Sequence, residues 1–271
     1  MKIDLHNHTT YSDGGFSPKE LVDIARRENV DIFALTDHDS VFGCDEVQQY
    51  AKSVGQRVIS GMELSTNYKG QSVHIVCLFP RNEVPAGLIK FSYKKKEERK
   101  SRAIKMMQKI QDIYHLQMDI DELIRENEVI TRANMGYHLA LHNGLSQKEV
   151  EPYIDFKSKA YIPSTHLSTE DGLKLAQASG CLTILAHPCL LPRELVEELV
   201  LFPFDGIEIR YPRNQEGDEA YFKSLAQKHN LLISAGSDFH KENDPKHGLI
   251  GTSALSESEF KPILERLEIS W

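Results

Sequence analysis

The sequence predicts an α/β fold, a mostly parallel sheet or barrel with helices outside and a helical insertion in the middle. Three observations carry this reading. Short apolar runs alternate with amphipathic segments through the first part of the chain. The rhythm stops after Pro80, and from Gly87 to about Ile154 no run reads as a strand. It then resumes and continues through the C-terminal part. The chain has 271 residues, 40% of them hydrophobic, which suits one large domain carrying an insertion. Residues 1–85 are therefore expected to form the first part of the barrel, residues 86–165 a helical insertion capping the substrate, and residues 166–271 the second part.

Element by element, Lys2–His6 reads as a strand. Ser17–Asn29 reads as a helix, with Ser17 as N-cap, Pro18 at the first position and Glu20 three residues after the cap. Asp31–Thr36 is a strand and Gly43–Val54 a helix; Arg57–Ser60 and Ser72–Phe79 are strands. Phe91–Tyr114 reads as one long helix, with shorter ones over Asp119–Asn127, Ala133–His142 and Gln147–Tyr153. Thr169–Ser179 is a helix closed by Gly180. Strands over Leu182–Ala186, Asp205–Ile209 and Leu231–Ala235 then alternate with helices over Arg193–Leu201, Gly217–His229 and Glu257–Leu267.

The formal net charge of −8 disfavours wrapping of long nucleic acid, which needs Lys and Arg to neutralise phosphates. It leaves room for a small phosphorylated substrate. Cys44, Cys77, Cys181 and Cys189 form no CxxC pair and read as buried thiols rather than disulfides or zinc fingers. The N-terminus shows no apolar signal segment, and no run reaches the ~18–20 residues of a membrane span. A cytoplasmic protein with no obligate protein partner is expected.

Metal-type residues fall at the C-terminal ends of the expected strands, the face that carries the active site in α/β barrels. His6 and His8 close the first strand, two apart and so on one side of an extended chain. Asp13 follows in a Ser-Asp-Gly-Gly turn. Thr36-Asp37-His38-Asp39 ends the second strand, Glu63 follows Gly61 at the end of the third, and His74 lies in the fourth. Ala186-His187-Pro188 and Ser237-Asp238-Phe239-His240 end later strands. One such histidine is ordinary; packing alone does not gather imidazoles and carboxylates on one rim, because burying them without partners is costly.

The stretch Ile3-Asp4-Leu5-His6-Asn7-His8-Thr9 with Ser12-Asp13-Gly14 resembles the first motif of the PHP (polymerase and histidinol phosphatase) superfamily. Leu35–Asp39, Gly61–Ser65 with His74, Leu185–Pro188 and Gly236–His240 are similar to its later motifs. The resemblance runs through nearly the whole chain and is greatest to stand-alone bacterial phosphoesterases such as the 3′,5′-nucleoside bisphosphate phosphatases. It implies a distorted (β/α)7 barrel binding three divalent metals. His6, His8, Glu63 and Asp238 would surround one ion. Asp13, His38 and His240 would hold a second or third, with Glu63 bridging and His74 and His187 completing the cluster. Mixed nitrogen and oxygen ligands suit Mn, Fe or Zn. A metal-bridging hydroxide held by Glu63, Asp13 and Asp238 would then attack phosphorus in line. Around these residues the chain departs from the family: Cys189 stands where Gly is usual, Met62 replaces a β-branched residue, and the residues after Arg132 differ.

Arg132, in a stretch resembling the insertion's Thr-Arg motif, is the candidate for holding substrate phosphate in bidentate geometry. Arg99 and Arg102 share a face of the long helix and are secondary candidates, a solvated face being the simpler reading for each. Asp37 either orients a ligand histidine from behind or caps a loop. His138 and His142, four apart on an expected helix, read as half-buried helix residues; His115, His166, His229 and His247 read as surface or packing residues. The leading functional expectation is a phosphatase acting on nucleoside 3′,5′-bisphosphates. A cyclic phosphodiesterase and a 5′–3′ exonuclease on short RNA or DNA ends follow. Histidinol phosphatase is a weaker reading, and an inactive metal-binding interaction module is the non-enzymatic one.

Overall fold

The computed structural model describes residues 1–271 apart from Glu128, Ser164, Thr165, His166 and Pro245. The first half runs β1 (Ile3–Asp4), α1 (Pro18–Arg27), β2 (Ile32–Leu35), α2 (Cys44–Val54), β3 (Arg57–Tyr68) and β4 (Gln71–Leu78). The insertion follows as α3 (Ala86–Tyr114), α4 (Ile120–Glu126), α5 (Arg132–Asn143) and α6 (Gln147–Ile154). The second half runs β5 (Leu167–Ser168), α7 (Thr169–Ala178), β6 (Leu182–Leu185), α8 (Arg193–Leu199), β7 (Gly206–Arg210), α9 (Asp218–His229), β8 (Leu232–Ala235) and α10 (Glu257–Leu267). The start of α1 follows its sequence signature: Ser17 and Glu20 form a reciprocal capping box with Pro18 in the first turn.

Strand order is β1-β2-β3-β4-β6-β7-β8, with β5 paired to β3 off this path. The sheet curls until its ends meet: Leu5 N–H donates to the Ala235 carbonyl at 3.0 Å and His8 N–H to the Phe239 carbonyl at 2.9 Å. The result is a nearly closed barrel. Alternate residues of its strands, including Ile3, Leu5, Ile32, Ala34, Ile59, Ile184 and Ala235, meet in its interior. Phe260, Ile263 and Leu267 of α10 join this cluster and plug one end. The other end is the rim where the polar residues gather.

The sheet is mostly parallel, as expected, and β4 is the exception, running antiparallel to both β3 and β6. The turn between β3 and β4 is Lys69-Gly70, with φ of 50° and 83°. Two left-handed residues make a tight hairpin, which only antiparallel strands can use. One expectation needs correction: β3 does not end near Ser60. It continues to Tyr68, so Glu63 sits mid-strand opposite Val76. Met62 and Leu64 pack into the outer core, and the alternation turns Glu63 to the other face. Because β4 is inverted, its early residue His74 reaches the rim that the other strands reach with their ends.

The insertion packs on cores of its own: Ala103, Met106, Met107, Leu123, Ile130 and Met135 form one, and Ile110, Leu139, Ala140, Val150 and Ala160 another. Its α3 begins at Ala86, earlier than the hydrophobic pattern suggested, with Pro85 as N-cap. The expected boundary at residues 165/166 lies outside the described residues. All four cysteines are free, and burial pushes the thiols of Cys44, Cys181 and Cys189 up to about 12. Among the described residues no helix is long and apolar enough to cross a membrane.

Candidate metal centre

The expected ligands arrive at the rim from seven places in the fold. His6 and His8 leave β1 on the same side. Asp13 is held by a tight turn in which the Ser12 and Gly14 amides both donate to the Thr9 carbonyl, at 3.0 and 2.9 Å. A Cβ at Gly14 would lie 2.6 Å from the His8 carbonyl carbon, so the turn admits only glycine. His38 follows β2 and makes a parallel bridge to Glu63. His74 comes from β4, His187 follows β6, and Asp238 and His240 follow β8. His187 and Asp238 adopt φ of 29° and 50°, sparsely populated for non-glycine residues, so the fold imposes backbone strain where the polar groups converge.

Glu63 is the hub. One oxygen lies 3.3 Å from His6 Nε2, 2.9 Å from His74 Nδ1 and 3.0 Å from His187 Nε2; the other lies 2.8 Å from His38 Nδ1 and 3.3 Å from His8 Nε2. Asp238 Oδ1 approaches His8 Nε2 at 3.0 Å and His6 Nε2 at 3.4 Å. Asp13 Oδ1 is 3.1 Å from His240 Nε2 and 3.8 Å from His38 Nε2. Donor atoms of His6, His8, Glu63 and Asp238 lie within 4.8 Å of one another; so do those of His8, Asp13, His38 and His240, and those of His38, Glu63 and His74.

These residues fit divalent cations. His6 Nε2, His8 Nε2, His38 Nδ1, Glu63 Oε2 and Asp238 Oδ1 are buried and have no hydrogen-bond partner, although they stand 2.8–3.4 Å from one another. Lone pairs that crowd together without pointing at each other are aimed at a shared centre. A cation there satisfies all of them, whereas buried polar atoms left without partners are expensive. Burial works against charge on Glu63, yet His38, His6 and His74 hold its carboxyl well below the usual range. Burial likewise opposes charge on His38 and His240, but Glu63 and Asp13 raise the first to about 9, and Asp13 and Asp238 the second to about 10.

Several supporting groups were not visible in the sequence. Glu208, beside a bulge in β7, sits behind two histidines: Oε1 is 3.3 Å from His6 Nδ1 and Oε2 accepts the His187 backbone N–H at 2.7 Å. An acid between Ile207 and Ile209 in a short apolar strand was the available signal. Tyr211 donates to Asp238 Oδ2 at 3.0 Å; burial and that carboxylate push its phenol pKa up, so it remains a donor. His247, read as a surface or packing residue, instead lies 3.6 Å from Asp238 Oδ2 with its ring 4.1 Å from that of His240. The long loop after β8 brings it there, which local sequence does not reveal. His166 lies outside the described residues.

Asp37 does not touch a ligand histidine. It accepts from Thr9 N–H at 2.7 Å, Thr9 Oγ1 at 2.6 Å and Ser12 Oγ at 2.6 Å, and Ser12 Oγ is 3.4 Å from His8 Nδ1. Its influence on the centre passes through the turn that carries Asp13. The arginines converge. Arg99 leaves α3 to bind Asp39, the neighbour of His38, and approaches Ser65 Oγ at 3.4 Å. Arg102 donates to the Ile162 carbonyl at 2.7 Å and stacks on Tyr161, and exposed Arg132 reaches the same ring. Burial, Arg132 and Arg99 together lower the Arg102 pKa against the pull of Tyr161. Neither Arg99 nor Arg102 is simply a solvated helix residue.

Comparison with known proteins identifies the family. Residues 4–165 match the PHP domain. A 5′-3′ exoribonuclease of Haemophilus influenzae is 30% identical over 248 residues, covering 88% of this chain and 90% of that one. A 3′,5′-nucleoside bisphosphate phosphatase of Chromobacterium violaceum is 28% identical over 249 residues, covering 88% and 87%. A solved structure from Bifidobacterium adolescentis, described as a proposed metal-dependent phosphoesterase, superposes with a TM-score of 0.85 at 23% identity, covering 97% and 96%, and shows the shared fold. The chain belongs to the PHP domain family and is a metal-dependent hydrolase of phosphoester bonds.

Proposed function

We propose that this hydrolase removes the 3′-phosphate of nucleoside 3′,5′-bisphosphates, with metal ions held by His6, His8, Asp13, His38, Glu63, His74, His187, Asp238 and His240. When bound, such ions supply Lewis acidity toward phosphoryl oxygens and a water-derived nucleophile at neutral pH. The chain's own contribution is to aim the donor atoms. Glu208 faces His6 Nδ1 and so turns Nε2 toward the centre, while Tyr211 fixes the Asp238 carboxylate. Glu208→Gln is expected to weaken Mn²⁺ affinity by ~10–100-fold, the usual cost of losing such a supporting partner. Titration of the metal-free protein by calorimetry measures this, and unchanged affinity would remove Glu208 from the design.

The observation that carries the substrate reading is the placing of Arg102 and Arg132 over the Tyr161 ring, on an insertion that Arg99 anchors to the loop bearing His38. Cations beside a ring suit a substrate with a second phosphate and a base, held while a different phosphate reacts. The 30% identity to an exoribonuclease favours one other reading, release of nucleotides from short RNA ends, because a chain end offers the same phosphate and base. The Mn²⁺-loaded protein should release phosphate from adenosine 3′,5′-bisphosphate and leave AMP intact. Arg132→Ala should raise KM about tenfold, the scale of one lost charge-assisted hydrogen bond. An inert bisphosphate alongside rapid degradation of oligoribonucleotides would replace the first reading with the second.

A further inference from the structure

We propose that the insertion carries a transition-metal site of its own, formed by Glu122 of α4 with His138 and His142 of α5, and that zinc is the ion it takes. His138 and His142 are one turn apart and share a face of α5. Glu122 Oε2 lies 2.6 Å from His142 Nε2 and 3.8 Å from His138 Nδ1. One donor atom from each of the three residues falls within 4.8 Å of the others.

His138 shows that this is more than a surface ion pair. Its side chain is only 2% exposed, and its Nδ1 is buried with no hydrogen-bond partner. A packing histidine would pair that nitrogen, since leaving it bare is costly. Its other nitrogen, Nε2, lies 3.4 Å from Asn127 Nδ2 and 3.5 Å from Glu126 Oε2. With Glu126 as its partner Nε2 carries the proton and Nδ1 turns a free lone pair toward Glu122, the arrangement found behind metal-bound histidines. A bound ion would select that tautomer over the one in which Nε2 accepts from Asn127.

Two imidazoles and one carboxylate select zinc over magnesium or calcium. Two donors on a tetrahedral zinc stand about 3.3 Å apart. The 2.6 Å contact has to widen and the 3.8 Å one to shorten, each by less than an ångström, and the two imidazole donors, within 4.8 Å of each other, have to meet the same spacing. Glu122 and His142 are partly exposed, which gives the ion an entry and a water for its fourth position. The ion would staple α4 to α5, which already share the core of Leu123 and Met135, and so steady the helix that begins with Arg132.

The test counts zinc per chain in the full-length protein after equilibration with Zn²⁺ and desalting. Wild type is compared with His142→Ala, at a partly exposed position, and with Glu122→Gln, which keeps the side chain's shape. Each variant should hold one zinc fewer than wild type, whatever number the barrel holds. Wild-type crystals should give an anomalous peak among the three side chains at the zinc edge. Equal zinc content in all three proteins, with no such peak, overturns the proposal. Glu63→Gln should keep the insertion's zinc, so the two centres can fail independently.

Discussion

Replacing Glu63 with Gln should empty the barrel of metal and lower kcat/KM by on the order of 10³-fold, well beyond the ~10–100-fold expected for supporting groups. Both oxygens of this carboxylate face imidazoles of five histidines. The side chain is fully buried and one of its oxygens lacks any hydrogen-bond partner. An amide of the same shape carries no charge and turns one hydrogen-bond donor toward ring nitrogens whose lone pairs have to face a cation. The fold should survive, because Met62 and Leu64 make the packing contacts of that stretch from the opposite face. Metal content and steady-state turnover, read on the same preparation, decide the matter. Retained metal with full turnover would mean that Glu63 is no ligand and that another group bridges the centre.

The largest expected effect on stability lies behind the site. Asp4 is fully buried and accepts the backbone N–H groups of His6 at 3.3 Å, Ser237 at 3.0 Å and Gly251 at 2.6 Å, together with Asn7 Nδ2 at 3.1 Å. It ties β1 to the segment after β8 and to the loop before α10. Asp4→Ala strands those donors and should cost about 3 kcal/mol or more, since each buried group left unpaired costs ~1–3 kcal/mol. Asp4→Asn should fall between wild type and Ala, because its amide keeps an acceptor for Ser237 but sets a donor against Gly251 N–H. Burial raises the Asp4 pKa, so the donors need its oxygens more than its charge. Urea denaturation of the metal-free proteins measures the order. An Ala midpoint equal to that of wild type would show that water replaces the carboxylate.

What the sequence revealed follows from how local each feature is. The His6-x-His8 pair, the Asp13 turn and the Asp238-x-His240 pair are each set within a few residues, and each is delivered to the rim. The capping box at Ser17 and the left-handed glycine at Gly180, just past the C-cap Ser179, are local in the same way. Glu63 was recognised, but its place in the strand was not: the break expected at Gly61 is bridged by a strand that continues to the Lys69-Gly70 turn. That turn held the missing information, since a left-handed pair implies the reversed strand that carries His74. Glu208 and Tyr211 lie far along the chain from His6 and Asp238, and His247, though near Asp238 in sequence, meets it only through the folding of the loop after β8. The same holds for Arg99, whose partner Asp39 is 60 residues away.

The seam of the barrel has a consequence for how the enzyme comes to be. His6, His8 and Asp13 stand on one side of it, and Asp238 and His240 on the other, with Asp13 and His240 separated by 227 residues. A chain growing from the ribosome carries six of the nine proposed ligands, His6 to His74, long before it carries the other three. Contacts of such separation form late, after most of the loop entropy has been lost. With the proposed ligands, hydrolytic competence would be withheld during synthesis until the two edges of the sheet join. Ions captured at that moment bind only the joined state and so act as a clasp upon it. A cell short of metal would then hold a barrel that is both idle and easier to open, and proteases could tell it from the working enzyme.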